Sequence, residues 1–188
     1  GQAKVILSTA GPFARYSDLL VQACVEQGTH YTDITGENHW VRTLIDKHHE
    51  HASLKGVRIV PSCGYDSIPS DIGTFFAVSQ FNKPVKRVEL FQEMQGGASG
   101  GTIETAFSMG KLSKEMRDPF LHNPENSSTE EQRKYSKDMM RIEKIEELDG
   151  WSGMFVMDAG NTRVVRRTDS LMEQNQNSYG SNFTFGEY

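Results

Sequence analysis

Three short strand-like runs, separated by segments of helical periodicity, constrain the fold more than any other feature of the chain. The runs extend from Lys4 to Ser8, from His30 to Ile34 and from Val57 to Val60, and each suits a short buried strand. Apolar residues between them recur at helical spacing, and Gly28 and Gly56 are placed to end the two helices. This strand–helix–strand–helix–strand order predicts two right-handed crossovers and a parallel sheet.

The loop that follows the third run concentrates polar chemistry in a few residues. It contains Cys63, Gly64, Tyr65, Asp66 and Ser67, and we expect the next helix to be capped by Ser70. Ligands of open parallel sheets bind beyond the carboxyl ends of the strands. This loop, and the segment Ala10, Gly11 and Pro12 that ends the first strand, are therefore candidate binding elements.

Local sequence patterns predict the helix starts and the secondary structure of the second half of the chain. Val85 to Met94 alternates apolar and polar residues, which predicts a half-exposed antiparallel strand. The other predicted features are helix caps at Ser17, Asn38 and Asn161, a helix from Thr102 to Met116, a capping box from Ser128 to Glu131, and strands at Met154 to Met157 and Phe183 to Tyr188.

Composition excludes several classes of function. The 188 residues carry a net charge of −5, which does not suit a nucleic-acid surface. No apolar run approaches the length of a membrane span, so we expect a protein that is not transmembrane. The two cysteines, Cys24 and Cys63, do not make a disulfide framework, and reduced thiols in the cytoplasm are the better interpretation.

The glycine pattern leaves two interpretations of the first 80 residues open. A dinucleotide-binding domain normally carries G-x-G-x-x-G after its first strand, and the chain contains no such motif. The glycine cluster from Gly96 to Gly101 has a different spacing and follows the three strands. The chain therefore begins either with a small three-stranded unit or with the second half of a Rossmann-type domain.

Longer motifs resemble a known family. The segments STAGPF at Ser8–Phe13, GTHYTDITGE at Gly28–Glu37 and PSCGYDSIPSDIGT at Pro61–Thr74 resemble saccharopine dehydrogenase-like oxidoreductases, including their trans-acting enoyl reductase branch. GGT at Gly100–Thr102 and FVMDAGNTRVVRRT at Phe155–Thr168 follow in the same order. The segment around Cys63 is the most specific of these matches.

The resemblance implies an α/β fold in which the second half of a Rossmann-type parallel sheet, residues 1–80, precedes a mixed α+β domain, residues 81–188. It implies a fragment of an NAD(P)-dependent oxidoreductase whose full-length form uses NAD or NADP, with weak or no binding by this fragment alone. The alternative is a non-catalytic scaffold, or a lipid-surface or dimerisation protein, built on the same fold. We expect a small-molecule or lipid-like acyl substrate and a homo-oligomer. The expected location is the cytoplasm, and the alternative is association with a membrane or lipid surface.

The resemblance also assigns expected sites. Cofactor contacts are expected at Ala10, Gly11, Pro12, Cys63, Gly64 and Tyr65, and substrate contacts at Asp66, Ser67, Gly101 and Thr102, while no catalytic residue is assigned. Residues 96–102 offer amides for an anion or simply form a tight turn.

Several polar residues outside these motifs allow two interpretations each. Asp33 and Glu37 either touch a ribose or order loops, and Arg163, Arg166 and Arg167 either meet a phosphate or form surface ion pairs. No two histidines from His48 to His51 are four residues apart, so we expect no metal site there.

Overall fold

The computed structural model describes residues 2–93, 117–138, 142–146, 149–153 and 155–188. The described chain divides into two compact units, residues 2–65 with Arg117 and residues 66–93 with those of 118–188. Its helices are α1 (Phe13–Tyr16), α2 (Asp18–Gln27), α3 (Asn38–Leu54), α4 (Ile68–Ser79), α5 (Glu130–Tyr135) and α6 (Asp158–Gln174). Its strands are β1 (Val5–Ser8), β2 (His30–Asp33), β3 (Ile59–Val60), β4 (Arg87–Leu90), β5 (Glu143–Ile145), β6 (Gly150–Ser152) and β7 (Thr184–Glu187).

The first unit contains the predicted parallel sheet, with its strands in the order β1-β2-β3. Ile6 lies opposite Tyr31, and Tyr31 lies opposite Ile59, so these three residues form one row across the sheet. Alternate residues of a strand point to opposite faces. Val5 and Leu7 therefore point to the other face of β1, where 53% and 65% of their surfaces are exposed.

The core of the first unit lies on the Tyr31 side of the sheet. Ile6 and Ile59 pack there against apolar side chains of α1, α2 and α3, which include Phe13, Val21, Cys24, Trp40 and Leu44. The predicted alternation of strands and helices is confirmed, because each helix contributes one apolar stripe to this core.

Helix boundaries in the first 80 residues differ from the predicted ones in two places. Gly28 ends α2 in the left-handed conformation, with φ of 70°, as expected for a glycine at this position. Ser17 occupies the N-cap of α2 without a side-chain cap bond, whereas Glu37 rather than Asn38 occupies the N-cap of α3. The predicted cap at Ser70 is wrong: α4 begins after Ser67, because Pro69 fits the first turn of a helix.

The second unit pairs β4 with β7, and these strands are parallel. The antiparallel arrangement expected for Val85 to Met94 is therefore wrong, because the partner strand follows the long helix α6 and not a tight hairpin. The strand is half-exposed as predicted, since Val88 and Leu90 pack against the buried Phe183 and Phe185 while Arg87 and Glu89 are exposed. The predicted final strand is confirmed as β7.

Three other second-half predictions need correction. The antiparallel pair β5–β6 ends at Ser152, and residues 155–157 lead into α6 and form no strand. Helix α6 begins at Asp158, so Asn161 is an interior residue and not its cap. The capping box lies one residue later than predicted, at Thr129 and Gln132, because Thr129 has the extended backbone of an N-cap. The predicted helix from Thr102 to Met116 lies outside the described residues.

Candidate functional site

The carboxyl ends of β1, β2 and β3 lie at one edge of the parallel sheet, and the candidate binding segments leave the sheet there. Ala10, Gly11 and Pro12 follow β1, and Cys63, Gly64 and Tyr65 follow β3. The sheet therefore brings the six predicted cofactor-contacting residues to the same edge. The peptide bond between Gly11 and Pro12 is cis.

Glu37 ties the loop after β2 to the segment after β1. Its carboxylate accepts hydrogen bonds from the backbone amides of Phe13, at 2.7 Å, and Ala14, at 3.1 Å. These amides belong to the first turn of α1, where helix amides have no partner within the helix. Glu37 is buried, and it holds α1 in the way that a bound anion would.

Asp33 ties the loop after β2 to the loop after β3. One carboxylate oxygen accepts bonds from the amides of Thr35 and Ser62, both at 3.0 Å, and the other accepts a bond from the Tyr31 hydroxyl at 2.9 Å. The backbone carbonyl of Asp33 also accepts a bond from the Cys63 amide at 2.7 Å. Burial raises the pKa of Asp33, and these donors oppose that rise by stabilising the carboxylate. Of the two open interpretations, the structure favours loop ordering for Asp33 and Glu37.

The groups that this edge exposes are mostly backbone. Ala10 and Gly11 are exposed, and a Cβ atom added to Gly11 would lie 3.2 Å from the Phe13 ring. Cys63 is half-buried with its thiol 3.4 Å from the carbonyl oxygen of Val60, Gly64 is buried, and Tyr65 is 89% exposed. This arrangement can contact a flat ring through backbone atoms and leaves the Tyr65 side chain exposed to solvent.

Asp66 and Ser67 open the second unit. Ser67 is buried, and its hydroxyl donates to Oδ1 of Asn161 in α6 at 2.9 Å. Asp66 is half-buried. The hydroxyl of Ser67 thus has a structural partner, while substrate contact at Asp66 and Ser67 stays a prediction. Gly101 and Thr102, the other two expected substrate contacts, lie outside the described residues.

A buried polar network fills the inner face of α6, which sequence reasoning did not anticipate. Arg163 forms two bonds to Asp138, at 3.0 and 2.9 Å, and Arg166 donates to the carbonyl oxygens of Pro119 and Phe185 at 2.9 and 3.0 Å. Arg163 and Arg166 are only 2% and 3% exposed, so surface pairing is wrong for both. The signal in the sequence is a run of polar residues at helical spacing, Asp158, Thr162, Arg166 and Asp169.

Asp158 is the strongly perturbed acid of this network. The pKa of Asp158 is raised to about 7, chiefly by burial and also by the negative charges of Asp138 and Glu187, while Arg166 and Arg163 oppose the rise. Glu187 is itself buried and accepts a bond from the Ser70 hydroxyl at 2.8 Å. In the part of the chain that the structure describes, no three potential metal ligands are grouped as a metal site requires.

Comparison with known proteins gives one consistent result. The chain is homologous to trans-acting enoyl reductases. It is 35% identical to the trans-acting enoyl reductase of Mycobacterium ulcerans over an alignment of 202 positions, gaps included, which spans 99% of this chain and 48% of the relative. The proteins of that name in Mycobacterium tuberculosis and Mycobacterium bovis are each 33% identical over alignments of 206 positions, which span the same shares of the two chains.

The chain spans about half the length of the curated relatives it matches. No protein-family model matches the chain, and no solved structure matches it significantly. Within the described ranges, no helix has the length and hydropathy that crossing a bilayer requires.

Proposed function

We propose that this chain forms part of a nicotinamide-dependent enoyl reductase, which reduces the carbon–carbon double bond of an acyl substrate. The observation that carries the proposal is similarity over 99% of the chain to proteins named trans-acting enoyl reductases. The chain would supply the second half of a Rossmann-type sheet, in residues 1–80, and a mixed α+β domain, in residues 81–188. The wider resemblance to saccharopine dehydrogenase-like proteins fits the same proposal.

The strand order supports the assignment of the sheet. In a Rossmann domain ordered 3-2-1-4-5-6, the last three strands are parallel neighbours in chain order. The strands β1, β2 and β3 are also parallel neighbours in chain order. Their carboxyl edge, with Ala10 to Pro12 and Cys63 to Tyr65, is the edge at which such a domain binds its dinucleotide.

The residues at this edge fit the nicotinamide end of a cofactor better than its phosphates. The exposed backbone at Ala10 and Gly11 leaves space for a flat ring, and Gly64 is buried in the neighbouring loop. The first-turn amides of α1 are bonded to Glu37 and are not free for a pyrophosphate. Tight binding of the phosphates would therefore need residues other than this helix start.

The chemistry of a nicotinamide cofactor decides which part of the reaction is left to the protein. A bound nicotinamide would supply the hydride, and the protein's share is binding and orientation. Asp33 and Glu37 would keep the loops at the sheet edge in fixed positions, because their carboxylates accept hydrogen bonds from backbone amides. Asp66, at the start of the second unit, would contact the acyl substrate.

A binding experiment tests the cofactor half of the proposal. The protein encoded by the complete open reading frame is titrated with NADH and NADPH, and nicotinamide fluorescence is followed. We expect the protein to bind the cofactor and Gly11→Val to weaken that binding, since a branched side chain would cover the exposed backbone of this segment, with its Cβ only 3.2 Å from the Phe13 ring. Gly73→Ala is the matched control, because a Cβ atom there meets nothing within 4 Å.

Two outcomes would contradict the proposal. If neither cofactor binds, the scaffold or lipid-surface alternative replaces the enzyme. If the cofactor binds equally well to the Gly11→Val variant, the segment after β1 does not line the nicotinamide site.

A further inference from the structure

The second unit contains a cleft between α4 and the segment that follows α6. Its volume is about 760 Å³, within the range of ordinary small-molecule sites. Phe75 and Val78 of α4 form one wall, and Met172 and Tyr179 form the opposite wall. Ser79 and the loop residues Asn175, Asn177 and Ser178 form the rim.

The chemistry of the lining selects a neutral, largely apolar occupant. None of the eight described residues that line the cleft carries a charge at neutral pH, since seven are not ionisable and burial and the nearby Asp71 and Asp169 raise the pKa of Tyr179 above its ordinary value. Transfer of a charged group into such surroundings without a partner is costly. A phosphate or a carboxylate is therefore disfavoured, whereas a hydrocarbon chain gains by burial.

The walls of the cleft are held in place by the core of the second unit. Val78 and Met172 pack against the buried cluster that contains Val165, Tyr179 and Phe183. The loop at the rim is fixed by Asp169, whose carboxylate accepts bonds from the Tyr179 amide at 2.9 Å and the Ser178 hydroxyl at 3.2 Å. The cleft is therefore a preformed feature of this unit.

An apolar stripe on α4 runs from the cleft to the start of the helix. Ile68, Ile72, Phe75 and Phe76 are four, three and one residues apart, so they lie on one face of the helix, and all are exposed. Ser79, on the cleft rim, continues this face. The stripe begins two residues after Asp66, a predicted substrate contact, and Ile68 to Ser79 spans about 16 Å along the helix axis.

We propose that the cleft and the α4 stripe bind the aliphatic tail of the acyl substrate. The reactive end of the substrate would lie near the start of α4, and its chain would run along Ile72 and Phe75 into the cleft. This inference rests on the proposed function for the presence of an acyl substrate. It adds a site for the tail, and with it a preference for long over short acyl chains.

Photolabelling locates the tail directly. A dodecanoyl thioester of N-acetylcysteamine, with a diazirine at the far end of its chain, is irradiated with the protein encoded by the complete open reading frame. Mass spectrometry of the peptides is expected to find the label on residues 75–79 or 172–179. An excess of unlabelled dodecanoyl thioester should compete, and the butanoyl thioester should not.

A matched pair of variants tests the cleft itself. Ser79→Trp places an indole at the rim and should weaken dodecanoyl binding by about tenfold or more, because several methylene groups lose their burial. Ala77→Trp, at an exposed position of α4 that does not line the cleft, should leave binding unchanged. Circular dichroism melting of both variants checks that they fold. If Ser79→Trp does not fold, the position of the label on the wild-type protein alone tests the tail site.

The outcomes separate this inference from the proposed function. Label outside the two peptides, or labelling that Ser79→Trp leaves unchanged, would overturn the tail site even in an active reductase. Label in the cleft of a protein that reduces no enoyl thioester would support the tail site and count only against the proposed reductase activity.

Discussion

Replacement of Asp158 by asparagine should make the second unit more stable at high pH and abolish part of its pH dependence. Asp158 is 3% exposed, and its carboxyl lies among Asp138, Glu187, Arg163 and Arg166. Burial raises its pKa from 3.8 to about 7, so the folded protein keeps a proton that the unfolded chain has lost. The folded state therefore loses stability as the pH rises through this interval.

The structure sets the size of the effect. The rise in the pKa of Asp158 from 3.8 to about 7 lowers the unfolding free energy by at most about 4 kcal/mol, at about 1.36 kcal/mol for each pKa unit. Asparagine has nearly the same shape and stays neutral, so it removes this loss. The difference in unfolding free energy between Asp158→Asn and the wild-type protein should grow in favour of the variant by about 2 to 3 kcal/mol between pH 5 and pH 8, because the first part of the loss occurs below pH 5.

Hydrogen–deuterium exchange of α6 peptides in urea, measured at several pH values, reports this difference for the second unit alone. The comparison at equal pH cancels the pH dependence of the intrinsic exchange rate. Asp149→Asn is the control, because the side chain of Asp149 is 97% exposed and should give no pH-dependent difference. A difference that stays constant from pH 5 to pH 8 would refute the account of Asp158.

Three other predictions concern the sheet edge, the core and the first strand. Glu37→Gln should lower the free energy of unfolding by about 1 to 3 kcal/mol and speed amide hydrogen exchange at Phe13 and Ala14. The exposed Glu26→Gln should change neither, and unchanged exchange in Glu37→Gln would contradict the role of Glu37. Tyr179→Phe should leave thermal stability unchanged or raise it, because the buried Tyr179 hydroxyl has no hydrogen-bond partner in the described structure; a large drop in melting temperature would reveal one. The chain should self-associate through the β1 edge, which pairs only with β2 within the described residues. Val5→Lys with Leu7→Lys should weaken association in sedimentation, and Leu19→Lys with Leu54→Lys should not; equal weakening by both pairs would point to another contact.

The elements that were predicted correctly are those specified by neighbouring residues. Gly28 marks the end of α2 because only a glycine adopts φ of 70° at little cost, and the parallel sheet follows from short strands alternating with helices. The start of α4 was misplaced because a serine at a plausible cap position outweighed Pro69, which marks the first turn.

The polar chemistry could not be predicted because its partners are distant in the chain. Glu37 bonds to amides 24 and 23 residues away, and Arg166 bonds to a carbonyl 47 residues away. The sequence leaves a ribose contact or loop ordering open for Glu37, and a phosphate contact or a surface ion pair open for Arg166. Only the packed structure shows that backbone groups of the protein satisfy both side chains.

Deuteride transfer is the most direct test of the central claim, that this chain is part of a nicotinamide-dependent enoyl reductase. The protein encoded by the complete open reading frame is incubated with a trans-2-enoyl thioester and either NADH or NADPH carrying deuterium at the transferable position of the nicotinamide ring. The account predicts a saturated thioester that contains one deuterium atom from one of the two cofactors. An enoyl thioester that is recovered unreduced with both cofactors, or a reduced product without deuterium, would contradict it.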